Sequence, residues 1–163
     1  MIKILDKLFT TETNYSHVKN SIKKLSSKSS IYKIFEAINS FSKDSEVRFV
    51  GGVIRKIISK ETIDDIDFST NLSPNEVCSA LKHNKIKYYE TGISHGTITA
   101  IIDDEKFEIT SLRKDISTDG RHALVEFSKN WKDDAKRRDF TINAIYSDKE
   151  GNLFDPLEGR SDL

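Results

Sequence analysis

One cysteine, Cys78, is all the thiol this chain has. An internal disulfide is therefore excluded, and so is a zinc site built on cysteines; a single thiol fits a cytoplasmic setting. No apolar run approaches the roughly 20 residues that span a bilayer. The N-terminal stretch MIKILDKLFTTETNYSH has neither a long apolar segment nor a small-residue cleavage site, so it reads as no signal peptide. Net charge is missing too: 26 basic and 26 acidic residues give a formal charge of zero. That balance argues against bulk electrostatic binding to nucleic acid, and leaves room for a local basic cleft. With 36% hydrophobic and 32% charged residues over 163 positions, the sequence is polar, globular and long enough for one core.

What is present becomes informative from Ile31 onward. Before it, VKNSIKKLSSKSS is rich in Lys and Ser, and residues 1–30 read as an extension with a frayed, solvated helix and a linker. Ile31, Ile34, Phe35, Ile38 and Phe41 recur at helical spacing, which predicts an amphipathic helix over 31–42. EVRFVGG reads as a short buried strand ending in a glycine pair, VIRKIISK as a helix, and TIDDIDFST as the next strand. Ser73, Pro74 and Glu76 form a helix start with a capping box ahead of NEVCSALKHN. IKYYE, GTITAIID and KFEITSLR are further strands, the last two joined as a hairpin through DDEK. KDISTDGRHALVEF reads as a mobile loop, WKDDAKRRDFTINAIY as a charged helix at its start, and IYSDKEGNLFDP as a hairpin turning at Gly151. Strands mixed with helices indicate an α+β, or mixed α/β, domain with a small mixed sheet backed by helices.

The chemistry sits where strands carry the wrong residues. Carboxylates are depleted in strands, yet TIDDIDFST holds Asp64, Asp65 and Asp67. Strand alternation puts Asp65 and Asp67 on one face, with Asp64 turned away into solvent. Two carboxylates on one face repel unless a cation sits between them, and hard oxygen ligands suit Mg²⁺. Glu108 in KFEITSLR becomes a third acid if that strand lies beside them, as a two-metal phosphoryl- or nucleotidyl-transfer site requires. Gly51 and Gly52 stand at a strand-to-helix junction, where backbone can approach a phosphate and Arg55 can fork onto its oxygens. In RRDF the adjacent Arg137 and Arg138 repel, and Asp139 neutralises only part of that charge. One of the pair therefore turns inward to meet an anion, while Asn143 offers an amide to a ribose or base. The plain alternatives are a surface turn, ordinary ion pairs and a charged helical face.

In order along the chain, RFVGGVIR (48–55), DDID (64–67), HGTI (95–98), FEITSLRKD (107–115), DGRH (119–122), RRDFTINA (137–144) and DPLEGRSDL (155–163) resemble the bacterial CCA-adding tRNA nucleotidyltransferases. The closely related bacterial poly(A) polymerases share the pattern. The resemblance covers about residues 31–163 and implies the nucleotidyltransferase head domain. By position it implies that Asp65 and Asp67 hold catalytic Mg²⁺ and that Glu108 is the third catalytic carboxylate. It gives Gly51, Gly52 and Arg55 to the triphosphate, and Arg137, Arg138, Asp139 and Asn143 to the nucleotide, with Arg113 supporting the pocket. Residues 115–130 become a flexible loop that couples nucleotide choice to closure. The implied substrates are ATP and CTP with a tRNA or other RNA 3′ end, and the implied reaction adds CMP and AMP without a template.

Two departures accompany the resemblance. Lys56 follows the arginine of the glycine motif, where the family usually has an acidic residue. The sequence also stops at Leu163, before the neck, body and tail domains of the family, so the expectation is either a fragment of a longer protein or a stand-alone head that needs a second chain. A poly(A) polymerase and a catalytically inactive remnant of the head remain the alternatives.

Overall fold

The computed structural model describes residues 2–118 and 123–163; the DGRH motif at 119–122 lies outside the described residues. A seven-stranded mixed sheet, in the order β3-β4-β5-β2-β1-β8-β9, organises the chain. Its strands are β1 (Val47–Val50), β2 (Asp67–Thr70), β3 (Lys87–Gly92), β4 (Thr97–Ile102), β5 (Glu105–Ser111), β8 (Tyr146–Ser147) and β9 (Leu153–Phe154). Only β2 and β5 pair in parallel; every other neighbouring pair is antiparallel.

Helices α1 (Ile2–Ser26), α2 (Ser29–Asn39), α3 (Gly52–Ile58) and α4 (Pro74–His83) supply the main core with one face of this sheet. The period of two in each strand decides the faces. Val47, Phe49, Phe68, Phe107 and Ile109 point into the helical layer, where Phe35, Phe49, Phe68 and Phe107 form a chain of ring contacts 5.1–6.2 Å apart. Val50 and Tyr146 turn the other way and pack with Ala135, Ala144, Trp131 and Phe154 in a smaller cluster. The expected capping box is present: Ser73 accepts from the Glu76 N–H at 3.3 Å, and the Glu76 carboxylate accepts from the Ser73 N–H at 2.8 Å.

Three local expectations change. The Lys- and Ser-rich run before Ile31 is no solvated linker: α1 continues to Ser26 and buries Val18, Ile22 and Leu25 in the core. Those three residues stand at i, i+4 and i+7, a one-stripe signal that the polar composition around it hides. The strand expected over 62–70 begins only at Asp67, so Asp65 lies on the irregular approach to it. The loop expected near 115–130 is largely a hairpin of β6 (Arg113–Thr118) and β7 (Ala123–Phe127), followed by α5 (Trp131–Lys136). The charged helix thus stops at Lys136, and Arg137 sits at its C-cap.

Candidate active site

Parallel pairing of β2 with β5 puts Asp67 directly beside Glu108. Both side chains face away from the helical core, because their neighbours Phe68, Phe107 and Ile109 fill it. Asp65 joins them on the wall of a cavity of about 420 Å³ that also includes Asp67 and Glu108. Partial burial, then the charges of Glu108 and Asp65, push the Asp67 carboxyl above the usual aspartate range. Among the described residues no three His, Cys, Asp or Glu side chains are gathered closely enough to hold a metal by themselves. That arrangement still fits Mg²⁺, which takes one or two carboxylates and completes its shell from water and phosphate. The repulsion felt by Asp67 is the kind a divalent cation relieves. Asp64 is exposed, as expected, and pairs with the Lys56 ammonium; this hydrogen bond, with that from the Asp65 N–H at 2.8 Å, lowers its pKa. Lys56 therefore has a partner on the acidic turn.

Asp67 and Glu108 also border a second cavity of about 460 Å³, whose other walls carry Arg55, Arg113, Arg137, Arg138 and Asn143. Two acids and four guanidinium groups thus line one cleft. Both arginines of the RRDF run turn toward it, and the residue that turns them is Asp134. Its side chain is 1% exposed, and its carboxylate accepts from Arg137 Nε at 2.9 Å, Arg138 Nε at 3.2 Å and the Tyr146 hydroxyl at 2.6 Å. It also accepts from the Arg113 backbone N–H at 3.3 Å. Burial alone would raise the Asp134 pKa, but Arg138, the Tyr146 hydroxyl and Arg137 outweigh it and hold the carboxyl below its usual range. Arg138 responds in kind: burial disfavours its charge, Asp134 more than restores it, and its pKa ends above the ordinary arginine value. Burial in the same cluster pushes the Tyr146 phenol up.

Arg113 is less well served. Its Nη1 donates to the His95 carbonyl at 2.9 Å, while its Nε is buried without a partner. Burial, with Arg137 beside it, draws its pKa below the ordinary value. A guanidinium left short of acceptors in a cationic cleft is a ready anion-binding group.

The glycine pair closes the far wall. Gly51 has φ +68°, a left-handed conformation that favours glycine, and its N–H donates to the Ile145 carbonyl at 3.1 Å. A Cβ on Gly52 would meet nothing within 4 Å, so the backbone there borders open space in the cleft. Asn143, on a 3-10 turn over Thr141–Asn143, accepts from Arg55 Nη1 at 3.4 Å. A second short turn, Gly159–Asp162, braces that segment: Thr141 donates to Asp162, and a Cβ on Gly159 would lie 2.2 Å from the Thr141 carbonyl oxygen.

The fold therefore brings together Asp67, Glu108, Gly51, Gly52, Arg55, Arg113, Arg137, Arg138 and Asn143, with Asp65 at the adjoining edge. Asp139 stays outside the cleft wall, exposed, and takes part in no ion pair among the described residues. Sequence reasoning missed Asp134 as the organiser. Its spacing of three and four residues before Arg137 and Arg138 was the available signal. Ser69, Thr97 and Thr110, also in the cleft, carried none.

Residues 47–163 match the poly A polymerase head domain family. The chain belongs to that family. Among its relatives, a mitochondrial CCA tRNA nucleotidyltransferase 1 of Danio rerio is 43% identical over 119 residues, 72% of this chain and 28% of that protein. A CCA-adding enzyme of Lactobacillus johnsonii is 39% identical over 120 residues, again 72% of this chain and 29% of the relative. The crystal structure of a Bacillus stearothermophilus CCA-adding enzyme in complex with CTP superposes with a TM-score of 0.67 at 30% identity, covering 78% of this chain and 29% of that one. A tRNA nucleotidyltransferase complexed with a primer tRNA and an incoming ATP analog gives a TM-score of 0.57 at 25% identity, covering 77% and 36%. This poly A polymerase head domain thus spans under a third of the length of the curated relatives it matches. The match starts at β1, so the sheet and cleft lie inside it, while α1 and α2 lie outside.

Proposed function

We propose that this head domain catalyses template-independent nucleotidyl transfer to an RNA 3′ end, adding CMP and AMP to tRNA. The observation that carries the reading is one cleft lined by Asp67, Glu108 and four arginines. A nucleoside triphosphate suits this lining: its anionic tail meets the arginines, and the acids approach its phosphates only through a divalent cation held between them. The names of the relatives, CCA tRNA nucleotidyltransferase and CCA-adding enzyme, agree with it.

In this reading Arg138, fixed by Asp134 and Tyr146, presents a planar fork to phosphate oxygens, and Arg113 offers its unpartnered Nε to the same anion. Gly52 leaves space for phosphate against the backbone, and Arg55 with Asn143 orients the sugar and base. Asp65 and Asp67, with Glu108 beside them, would hold Mg²⁺, which when bound lowers the pKa of the attacking RNA hydroxyl and offsets charge on the triphosphate. The protein groups thus contribute mainly by positioning reactants and balancing charge. A cytoplasmic setting is part of this proposal and is compatible with the lone thiol; no described helix is long and apolar enough to cross a membrane.

Asp65→Ala is expected to abolish incorporation of labelled nucleotide while the melting temperature is kept; retained Mg²⁺-dependent turnover would refute the assignment. The family's description favours a second reading, poly(A) synthesis. ATP and CTP offered separately, to a tRNA lacking its 3′ end and to unstructured RNA, distinguish the two: long A-tracts on any RNA indicate the polymerase. An inactive remnant would show no Mg²⁺-linked nucleotide affinity.

A further inference from the structure

A third cavity, lined by Ser128–Lys132 and Phe154, is joined to the cleft through the residues packed between them and has no part in the scheme above. Arg48 on β1 is the antiparallel partner of Ser69, whose hydroxyl accepts from Arg138 at 3.4 Å in the cleft. The Arg48 guanidinium carbon lies 4.1 Å from the Trp131 ring centroid and 5.0 Å from that of Phe154. Its Nε donates to Glu46 at 2.7 Å, and its Nη1 is buried without a partner. Both rings also pack against Tyr146, the hydroxyl partner of Asp134. Arginine and rings therefore form one stiff layer continuous with the catalytic wall. Trp131 and Phe154 border an open cavity of about 610 Å³, rimmed by Lys129 and Lys132. Both lysines are exposed, and among the described residues neither has an ion-pair partner.

Aromatic rings in the floor and uncompensated ammonium groups at the rim match the chemistry of a single RNA strand, with bases for the rings and phosphates for the cations. An acidic peptide would satisfy the lysines and leave the rings without a partner. We propose that the Trp131–Phe154 cavity, backed by Arg48, docks a single-stranded RNA segment next to the cleft, a base against the rings and its phosphates on Lys129 and Lys132. The proposal deepens the reading of the cleft as an RNA 3′-end nucleotidyltransferase and names where the strand lies.

Trp131 is the only tryptophan of the chain, so its fluorescence reports on this cavity in the unaltered protein. Titration with a short single-stranded oligoribonucleotide should give saturable quenching that weakens with salt. Lys129→Glu combined with Lys132→Glu, both at exposed positions, should cut that affinity at least about tenfold and reduce the slope of log K against log salt by about 1.4, for two phosphate contacts. Absence of quenching, or equal affinity in the double variant, would overturn the site. Equal quenching by ATP alone, or by polyglutamate, would overturn it too, assigning the signal to the cleft or to an acidic protein segment. Incorporation measured in the same samples separates the two ideas. Turnover without quenching removes only the docking site; quenching without turnover removes the nucleotidyl-transfer reading and keeps the site.

Discussion

Asp67 is held between two opposing demands. Its place beside Glu108 suits a cation, while the fold without that cation has to tolerate two acids facing one another. The carboxyl pKa is raised above 3.8 by partial burial and by Glu108 and Asp65. Between the ordinary and the raised value the folded chain binds more protons than the unfolded one, so this contribution to stability falls as pH rises through that window. Asp67→Asn protein should therefore be slightly more stable than wild type at neutral pH when both are metal-free, by about 0.5 kcal/mol after allowance for solvent screening, and should stay inactive when Mg²⁺ is added. Melting curves in chelator across pH 3 to 7, as rough bounds, test this: the difference from wild type should open on raising pH and close in acid. Asp134 has the opposite sign. Its pKa is lowered, so its contribution is fully present above 3.8 and is lost as pH falls through the folded value. Asp134→Ala strands two guanidinium groups and a buried hydroxyl, and should cost about 3–5 kcal/mol in urea unfolding.

Among the elements, α1 and the paired C-terminal turns make the clearest claims. Ile22 is fully buried although the run around it is Lys- and Ser-rich. Ile22→Ala should destabilise by about 2–5 kcal/mol in denaturant titration; a change within error would mean that α1 does not contribute to the core. Gly159 bears on the site from outside it. A methyl group there collides with the Thr141 carbonyl oxygen, and the displaced turn carries Asn143. Gly159→Ala should weaken nucleotide binding about tenfold by equilibrium titration, at a stability cost of about 1–3 kcal/mol. The elements were legible where one period dominated: α2 from its apolar stripe and α4 from its capping box. They were obscured where composition and period disagreed, as in α1. The β6–β7 hairpin was hidden as well, because its polar run carries the sequence signature of a loop.

For the molecule as a whole, the sheet separates stability from chemistry: helices and aromatic rings fill one face, and the charged cleft occupies the other. Mg²⁺ should therefore leave the fold unchanged and act only through linkage. At about ten times its dissociation constant it should stabilise the chain by about 1.4 kcal/mol, a gain read by calorimetry that Asp67→Asn should lose. The neutral net charge likewise says little about function, since the cations and acids that matter are sorted by place. Sequence alone determined the residue types, the order of the motifs and most of the elements, because turn chemistry and hydrophobic period act over a few neighbouring positions. Tertiary structure alone decided that β2 and β5 run parallel with Asp67 beside Glu108, that Asp134 rather than Asp139 restrains the two arginines, and that Arg55 reaches Asn143 across 88 residues. Strand neighbours and buried ion pairs depend on how distant segments pack, and no local pattern encodes that choice.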